Sequence, residues 1–325
     1  MLSSFFTSYI TPLIILALAL LIDFSLGEPP DRIHPTVWMG KVIIFLKPKF
    51  KSKNPKVERI KGALLCLSTV LVFTLPAYFI LTWTQQCLGP VAYIIVAAIM
   101  LKPTFALKCM EYYTLPIAKA INAGKVNEAK ALLPYIVRRN PEKLDEKQII
   151  SAAVESIAEG TVDGITSALF YFALFGVPGA VAFRVINTLD SMVGYKDPEH
   201  AEIGWFSAKL DTLANYIPAR LTAFLMIIAT WILQKNWKNA WDTLKRDKNK
   251  TESLNAGWPM ATMAGALNIK LEKPDFYTLG DSNSNPITPR HILQALQIMK
   301  LTTILFGAFI VPPLLILAPI LLGQN

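Results

Sequence analysis

Three carboxylates, Glu155, Glu159 and Asp163, recur at intervals of four residues just before a 20-residue stretch, 164–183, that carries no charge. On a continuous helix that spacing lines all three along one face, where they repel unless a cation or a basic partner lies among them. In a soluble helix a solvated face would explain the pattern. The Ala, Val, Ile, Ser and Gly around these acids, and the uncharged run that follows, leave a Mg²⁺ or substrate site equally open. Past that run, Arg184, Asn187 and Asp190 follow at i, i+3, i+6, with Ser191 adjacent. Asp211 and Asn215 repeat the pairing of acid and amide at i, i+4, with Arg220 beyond. An Arg184–Asp190 ion pair would account for one of these groups, not for all three. Hard oxygen donors together with arginines are what a magnesium–phosphate site requires.

Polar groups this close to apolar segments are costly to desolvate, so the elements that position them matter. The chain has 325 residues, 53% of them hydrophobic and 17% charged. Charged residues make up roughly a quarter of an average soluble domain. Several uncharged runs are long enough to cross a bilayer, which predicts an all-α, polytopic integral membrane protein, multi-pass in the cell membrane. The net charge of +9 comes from basic residues clustered in polar segments that flank apolar ones. That is the signature of cytoplasmic loops beside an anionic leaflet, and no basic stripe with interleaved aromatics points to a nucleic acid.

The apolar run 9–26 has no Lys or Arg before Arg32, which predicts a retained membrane helix and not a cleaved signal. Residues 28–61 carry nine Lys/Arg and belong in the cytoplasm. Residues 62–101 contain no charge and read as two bilayer-length helices turned at Gln85-Gln86-Cys87-Leu88-Gly89-Pro90. A second basic region opens at Lys102, with a helix over 115–137 broken at Gly124 and Asp145 as the N-cap of the acid-bearing helix. The run 164–183 is interrupted by Gly176-Val177-Pro178-Gly179, which predicts a broken or re-entrant segment. Either this run and 212–234 both span, or neither does fully. The basic stretch 235–250 is again cytoplasmic, and 301–325 is the last crossing, bent at Pro312-Pro313 and Pro319. The expected organisation is one helical membrane domain over 1–325, with cytoplasmic loops at about 28–61, 102–163 and 235–295.

Cys66, Cys87 and Cys109 lie in or beside apolar segments and suit packing better than a disulfide framework. His34, His200 and His291 are too scattered for a metal site. No GxxxxGK[ST], GxGxxG, HExxH or GxSxG pattern is present, so a nucleotide would bind without the common signatures. Asn255-Ala256-Gly257-Trp258-Pro259 is a small-residue turn in which Gly257 is expected to adopt a conformation other residues would strain to reach.

Several ordered motifs then come together. They are Val154-Glu155-Ser156-Ile157-Ala158-Glu159, Asp163-Gly164, Ile186-Asn187-Thr188-Leu189-Asp190-Ser191-Met192-Val193-Gly194-Tyr195-Lys196, Ala208-Lys209-Leu210-Asp211, Asn215, Pro218-Ala219-Arg220-Leu221-Thr222 and Asn255-Ala256-Gly257-Trp258-Pro259, preceded by Asp23, Gly27, Pro29, His34 and Pro35. In this order they resemble the CobD/CbiB family of cobalamin biosynthesis, adenosylcobinamide-phosphate synthases, over nearly the whole chain. The resemblance implies an ATP-dependent amide bond between the propionate carboxylate of adenosylcobyric acid, a corrinoid, and the amine of (R)-1-amino-2-propanol phosphate, an aminoalcohol phosphate. It implies Mg²⁺ as well, to neutralise the transferring phosphoryl group. Three departures stand out. The family often has Gly-Asp-Pro at Gly27-Glu28-Pro29, Gly-Arg-Asp-Thr at Val137-Arg138-Arg139-Asn140, and Asn at Gly160.

On this reading Glu155, Glu159, Asp163, Asp190 and Asp211 are the catalytic acids, with Glu159, Asp163 and Asp190 as metal ligands. Arg184, Lys196, Lys209 and Arg220 contact substrate phosphate or carboxylate, and Asn187, Asn215 and Asn255 position it. The lipid bilayer is a partner, and oligomer formation stays open. Two rivals fit parts of the pattern. A membrane prenyl-diphosphate transferase would use Asn187, Asp190 and Asp197 on a Mg-diphosphate, although Asp211 followed by Asn215 makes a poor second acidic motif. An ion-coupled transporter would use the broken 164–183 segment.

Overall fold

An uncharged, mostly apolar run ahead of Asp23 builds the first helix, α1 (Thr11–Leu26, 16 residues), where Gly27 at φ +75° donates its N–H to Asp23 O. The computed structural model describes residues 9–281 and 284–321, so the last residues of the expected final crossing, 322–325, lie outside it. At about 1.5 Å per residue α1 is shorter than the roughly 30 Å hydrocarbon core, and it stands apart from the longer candidate spans. It is followed by α2 (Pro35–Phe50), α3 (Pro55–Cys87) and α4 (Gly89–Leu101). The α3–α4 turn falls where expected, with Gly89 at φ +83°. A 3₁₀ turn (Lys102–Thr104) leads to α5 (Leu107–Asn122) and α6 (Val126–Leu132), broken at Gly124 as expected.

α7 (Glu146–Thr161) starts at a capping box in which Asp145 accepts from Gln148 N and the Gln148 side chain accepts from Asp145 N. A π-turn (Val162–Thr166) joins it to α8 (Ser167–Val193). Gly176, at φ +67° and ψ −162°, breaks α8 inside the run in which the sequence places an interruption. A side chain at that φ would clash with its own backbone, so only glycine holds this kink without strain. α9 (Trp205–Ala214) and α10 (Tyr216–Ile232) form a pair bent by 43°. α11 (Trp237–Asp247), α12 (Gly257–Leu267), a two-stranded antiparallel hairpin of β1 (Leu271–Lys273) and β2 (Tyr277–Leu279), α13 (Arg290–Phe309) and α14 (Val311–Leu321) complete the order. The helix that carries the start of the last apolar run begins at Arg290, ahead of Leu301, and ends before Ile310, so that Pro312 and Pro313 open a new helix instead of bending a continuous one. A proline at the first helical positions lacks only an N–H that would be unpaired there anyway.

Among the described residues four helices are long and apolar enough to cross a bilayer, or five if the bent pair is one span. Leu64, Leu67, Leu71, Leu75, Phe79 and Trp83 of α3 are all exposed, an apolar ladder that suits lipid rather than water. The chain is an all-α polytopic membrane protein with a broken central segment.

It folds as two compact units. The first comprises residues 1–106, 167–215 and 307–325. In it α3 packs on α8, α4 and α2, and α14 and α9 pack on α8, burying Met39, Ile43, Leu65, Phe172 and Phe183. The second comprises 107–166 and 216–306. There α12 lies against α11, α10 and α7, and β1 against α7, around Ile149, Ile157, Met263 and Ala264.

Candidate functional site

In the first unit the predicted residues of α8, α9 and the α9–α10 bend form one chain of hydrogen bonds. Arg184 Nη1 donates to Asn187 Oδ1 at 3.1 Å, and Asn187 Nδ2 donates to Asp211 Oδ1 at 3.2 Å. From the other side Ser167 Oγ donates to Asn215 Oδ1 at 2.5 Å, and Asn215 Nδ2 donates to Asp211 Oδ2 at 2.9 Å. The spacing i, i+3 on α8 and i, i+4 from Asp211 sets both amides against one carboxylate. Asp211 is 8% exposed, and these two bonds offset part of the cost of burying its charge. Arg184 is anchored separately, its Nε and Nη2 both donating to Thr104 O. Nothing in the residue pattern signals Thr104 or Ser167, because neither belongs to the acid-and-amide spacing.

Thr104 ends the turn that carries Lys102, and Lys102 closes a second buried group. Its Nζ lies 3.2 Å from Asp23 Oδ1 and 2.6 Å from Glu28 Oε2. His34, which caps α2 through Nδ1, places Nε2 3.0 Å from Glu28 Oε2. Burial alone would push the Glu28 carboxyl up, but the hydrogen bonds from His34 and Lys102 outweigh it and hold it below the ordinary range. The longer reach of Glu28, where the family often has Asp, is thus used to meet Lys102 and His34.

In the second unit Glu155 is engaged on both oxygens. Oε1 accepts from Ser151 Oγ at 2.7 Å; Oε2 accepts from Tyr277 Oη at 2.6 Å and from Arg139 Nη2. Arg139 stands where the family resemblance leads one to expect an aspartate, so this chain sets a cation on Glu155 instead. Burial, then the Glu155 carboxylate, then the charge of Glu159 push the Tyr277 hydroxyl well above its usual range, which keeps it a proton donor. Arg220 and Asn255 also meet here, Nη1 to Oδ1 at 3.3 Å. Gly257 does not adopt the special conformation expected of it. It opens α12, and a Cβ there would strike Lys248 O, so its role is to permit a close approach.

The remaining predicted residues are more open. Glu159 is exposed on α7, Asp163 is half-buried in the π-turn, and Asp190 is half-buried on α8. A Cβ at Gly194 would strike Asp190 Oδ1, so glycine there leaves room for that carboxylate. Lys196 and Lys209 are exposed. Among the described residues no group of three or more His, Cys, Asp or Glu is gathered as a ready-made metal site. Mg²⁺ commonly takes only one or two carboxylates and completes its shell with water and substrate phosphate. Accessible acids such as Glu159, Asp163 and Asp190 fit that mode; Glu155, bonded on both oxygens, does not.

A family described as "CobD/Cbib protein" matches residues 16–299, a range that includes every residue of these clusters. The chain belongs to the CobD/CbiB family. Among curated relatives, it is 38% identical over 292 residues to the "Probable cobalamin biosynthesis protein CobD" of Methanothermobacter thermautotrophicus, covering 90% of this chain and 94% of the relative. It is 40% identical over 289 residues to the "Cobalamin biosynthesis protein CobD" of Dehalococcoides mccartyi, covering 89% and 92%. The Methanocaldococcus jannaschii relative of the same kind is 40% identical over 297 residues, covering 90% and 95%. No solved structure gives a significant match.

Proposed function

We propose that this chain is a ligase of cobalamin biosynthesis, resident in the cell membrane, that joins adenosylcobyric acid to (R)-1-amino-2-propanol phosphate and yields adenosylcobinamide phosphate at the expense of ATP. The observation that carries this reading is the family match over residues 16–299, supported by relatives named for cobalamin biosynthesis along nearly their whole length.

A carboxylate resists attack by an amine until one of its oxygens can leave. In the proposed reaction a propionate oxygen of the corrinoid attacks the γ-phosphorus of ATP and ADP departs. The amine nitrogen then attacks the acyl carbon, phosphate leaves with the original carboxylate oxygen, and the nitrogen loses its proton. Mg²⁺ would supply charge neutralisation on the transferring phosphoryl group. Glu159 and Asp163 of the second unit, and Asp190 of the first, are each accessible enough to offer it a carboxylate. Asp211, buried between two amides, orients Asn187 and through it Arg184, and Arg184 with Lys196 and Lys209 supplies cationic contacts for anionic substrate groups. Glu155 acts by fixing Arg139 and Tyr277.

The reading is tested by following phosphate release from ATP with purified protein. Release should require adenosylcobyric acid, and its coupling to amide formation should require the aminoalcohol phosphate. ATP that stays intact with both substrates present would exclude the reading. Glu159→Ala and Asp190→Ala should each slow ligation by at least about 100-fold if they carry the metal's share of transition-state stabilisation. Ligation at the parent rate would remove that role from them.

A further inference from the structure

Two cations of the second unit are brought over one indole ring. Arg220 Cζ lies 4.6 Å from the ring centroid of Trp258, and Lys248 Nζ lies 4.6 Å from the same ring. The two charges are therefore separated by no more than twice that distance. Arg220 is also held by Tyr216, whose ring centroid is 3.4 Å from Cζ and whose backbone oxygen accepts from Nη1 at 2.5 Å. Among the described residues neither Arg220 nor Lys248 forms an ion pair. The contrast with their neighbours is sharp, because Arg246 and Lys250, on either side of Lys248, both bond Asp247.

A ring quadrupole attracts a cation without neutralising it, and two like charges near one partly buried ring repel. The arrangement holds two positive charges that no carboxylate among the described residues neutralises. It is nevertheless firmly built. The close approach at Gly257 presses the start of α12 against the Lys248 carbonyl and sets a Cβ position 2.8 Å from Thr251 Oγ1. Asn255 is 6% exposed and bonded to Arg220, and no side chain caps the first turn of α12.

The geometry points to a phosphate-binding subsite made by Arg220, Lys248, Asn255 and Trp258, whose two positive charges match one doubly charged phosphate group of a soluble ester, a polyphosphate or a phospholipid head. Which substrate of the ligase it would serve rests on the proposed function; the subsite itself does not. Lys248 and Trp258 are the residues added here, and Arg220 and Asn255 gain a specific ligand. The phosphate would sit between guanidinium and ammonium, an anionic partner that neither cation has among the described residues.

The test is calorimetric titration of inorganic tripolyphosphate into the full chain in phosphatidylcholine nanodiscs, for the parent, Lys248→Gln, Arg220→Gln and Arg220→Lys. Each Gln variant should bind at least about tenfold more weakly, the loss of one charge-assisted contact, and Arg220→Lys should lose less because it keeps the charge. Lys248 lies half-buried at a helix end, so its variant remains informative if Arg220→Gln fails to fold. A second arm uses discs containing phosphatidylglycerol and weighs the lipid retained on the released protein. Weaker tripolyphosphate binding by the variants supports a soluble phosphate. Loss of retained phosphatidylglycerol in the variants, without change in tripolyphosphate binding, supports a lipid phosphate. Equal behaviour of parent and variants in both arms overturns the subsite. Phosphate binding that depends on these residues in a protein unable to form the amide would leave the subsite standing and remove only the ligase reading.

Discussion

Tyr277 donates its hydroxyl to Glu155 Oε2 at 2.6 Å, which ties the β-hairpin to the acid-bearing helix α7. The same oxygen accepts from Arg139, so a buried carboxylate is shared between a neutral and a charged donor. Tyr277→Phe leaves the ion pair and should destabilise the protein by about 1.5–3 kcal/mol, the usual worth of a hydrogen bond to a charged group. Glu155→Gln strands the Arg139 guanidinium and should cost more, about 3–5 kcal/mol. Denaturation of both variants in one detergent gives the order; Tyr277→Phe matching the parent would show that the hydroxyl contributes nothing.

Asp211 offers a different case, because its partners can turn. If Asp211→Asn points its new amide group at Asn215, Asn215 can flip and donate to Ser167 Oγ, whose hydroxyl rotates to suit. The single variant should therefore fold with a loss of no more than about 1.5 kcal/mol. Combining it with Ser167→Ala removes the rotor, and the double-mutant cycle should show a coupling of about 0.5–3 kcal/mol. Strict additivity would mean that the network does not reorient.

Arg184→Lys keeps the charge but cannot place two N–H groups on Thr104 O while reaching Asn187. It should lower thermal stability and reduce ligation together. An unchanged melting temperature would show that one donor suffices on that carbonyl.

Asp247 supplies a pH signature outside the spanning helices. Burial pushes its carboxyl up, but Arg246, Lys250 and the Gly280 N–H together bring it down to about 2 from the ordinary 3.8. A carboxyl with a depressed folded-state pKa stabilises the fold above its unfolded value and loses that contribution as the pH falls through the folded one. The stability gap between the parent and Asp247→Asn should be full at pH 6, begin to shrink below about 4 and vanish near 2. Melting curves across that range check it, and a constant gap would mean that the carboxylate charge is not what holds Gly280.

Much of this was legible in the sequence. The turn at Gly89, the N-cap at Asp145 and the break at Gly176 each follow from a residue whose backbone or side-chain chemistry acts within a few positions. The pairing of Asp211 with Asn215 follows from helical spacing, whereas Asn187 reaches Asp211 only through the packing of α9 on α8. The β-hairpin and the π-turn escaped because their cause is tertiary: strands of three residues give too little periodicity to read, and Tyr277 is significant only because it lands on Glu155. Lys102 looked like the first residue of a basic loop, yet it is 3% exposed. A sequence does not reveal which lysine of a basic region meets two distant acids. Lys248 was hidden in the same way among five other basic residues of 235–250.

The central claim is amide formation on a corrinoid, and the mass of the product tests it most directly. Purified protein is incubated with adenosylcobyric acid, ATP, Mg²⁺ and (R)-1-amino-2-propanol phosphate, and the corrinoid is then weighed by mass spectrometry. The account predicts a corrinoid heavier by one aminopropanol phosphate less one water, formed only when ATP is present. A corrinoid unchanged in mass would contradict it.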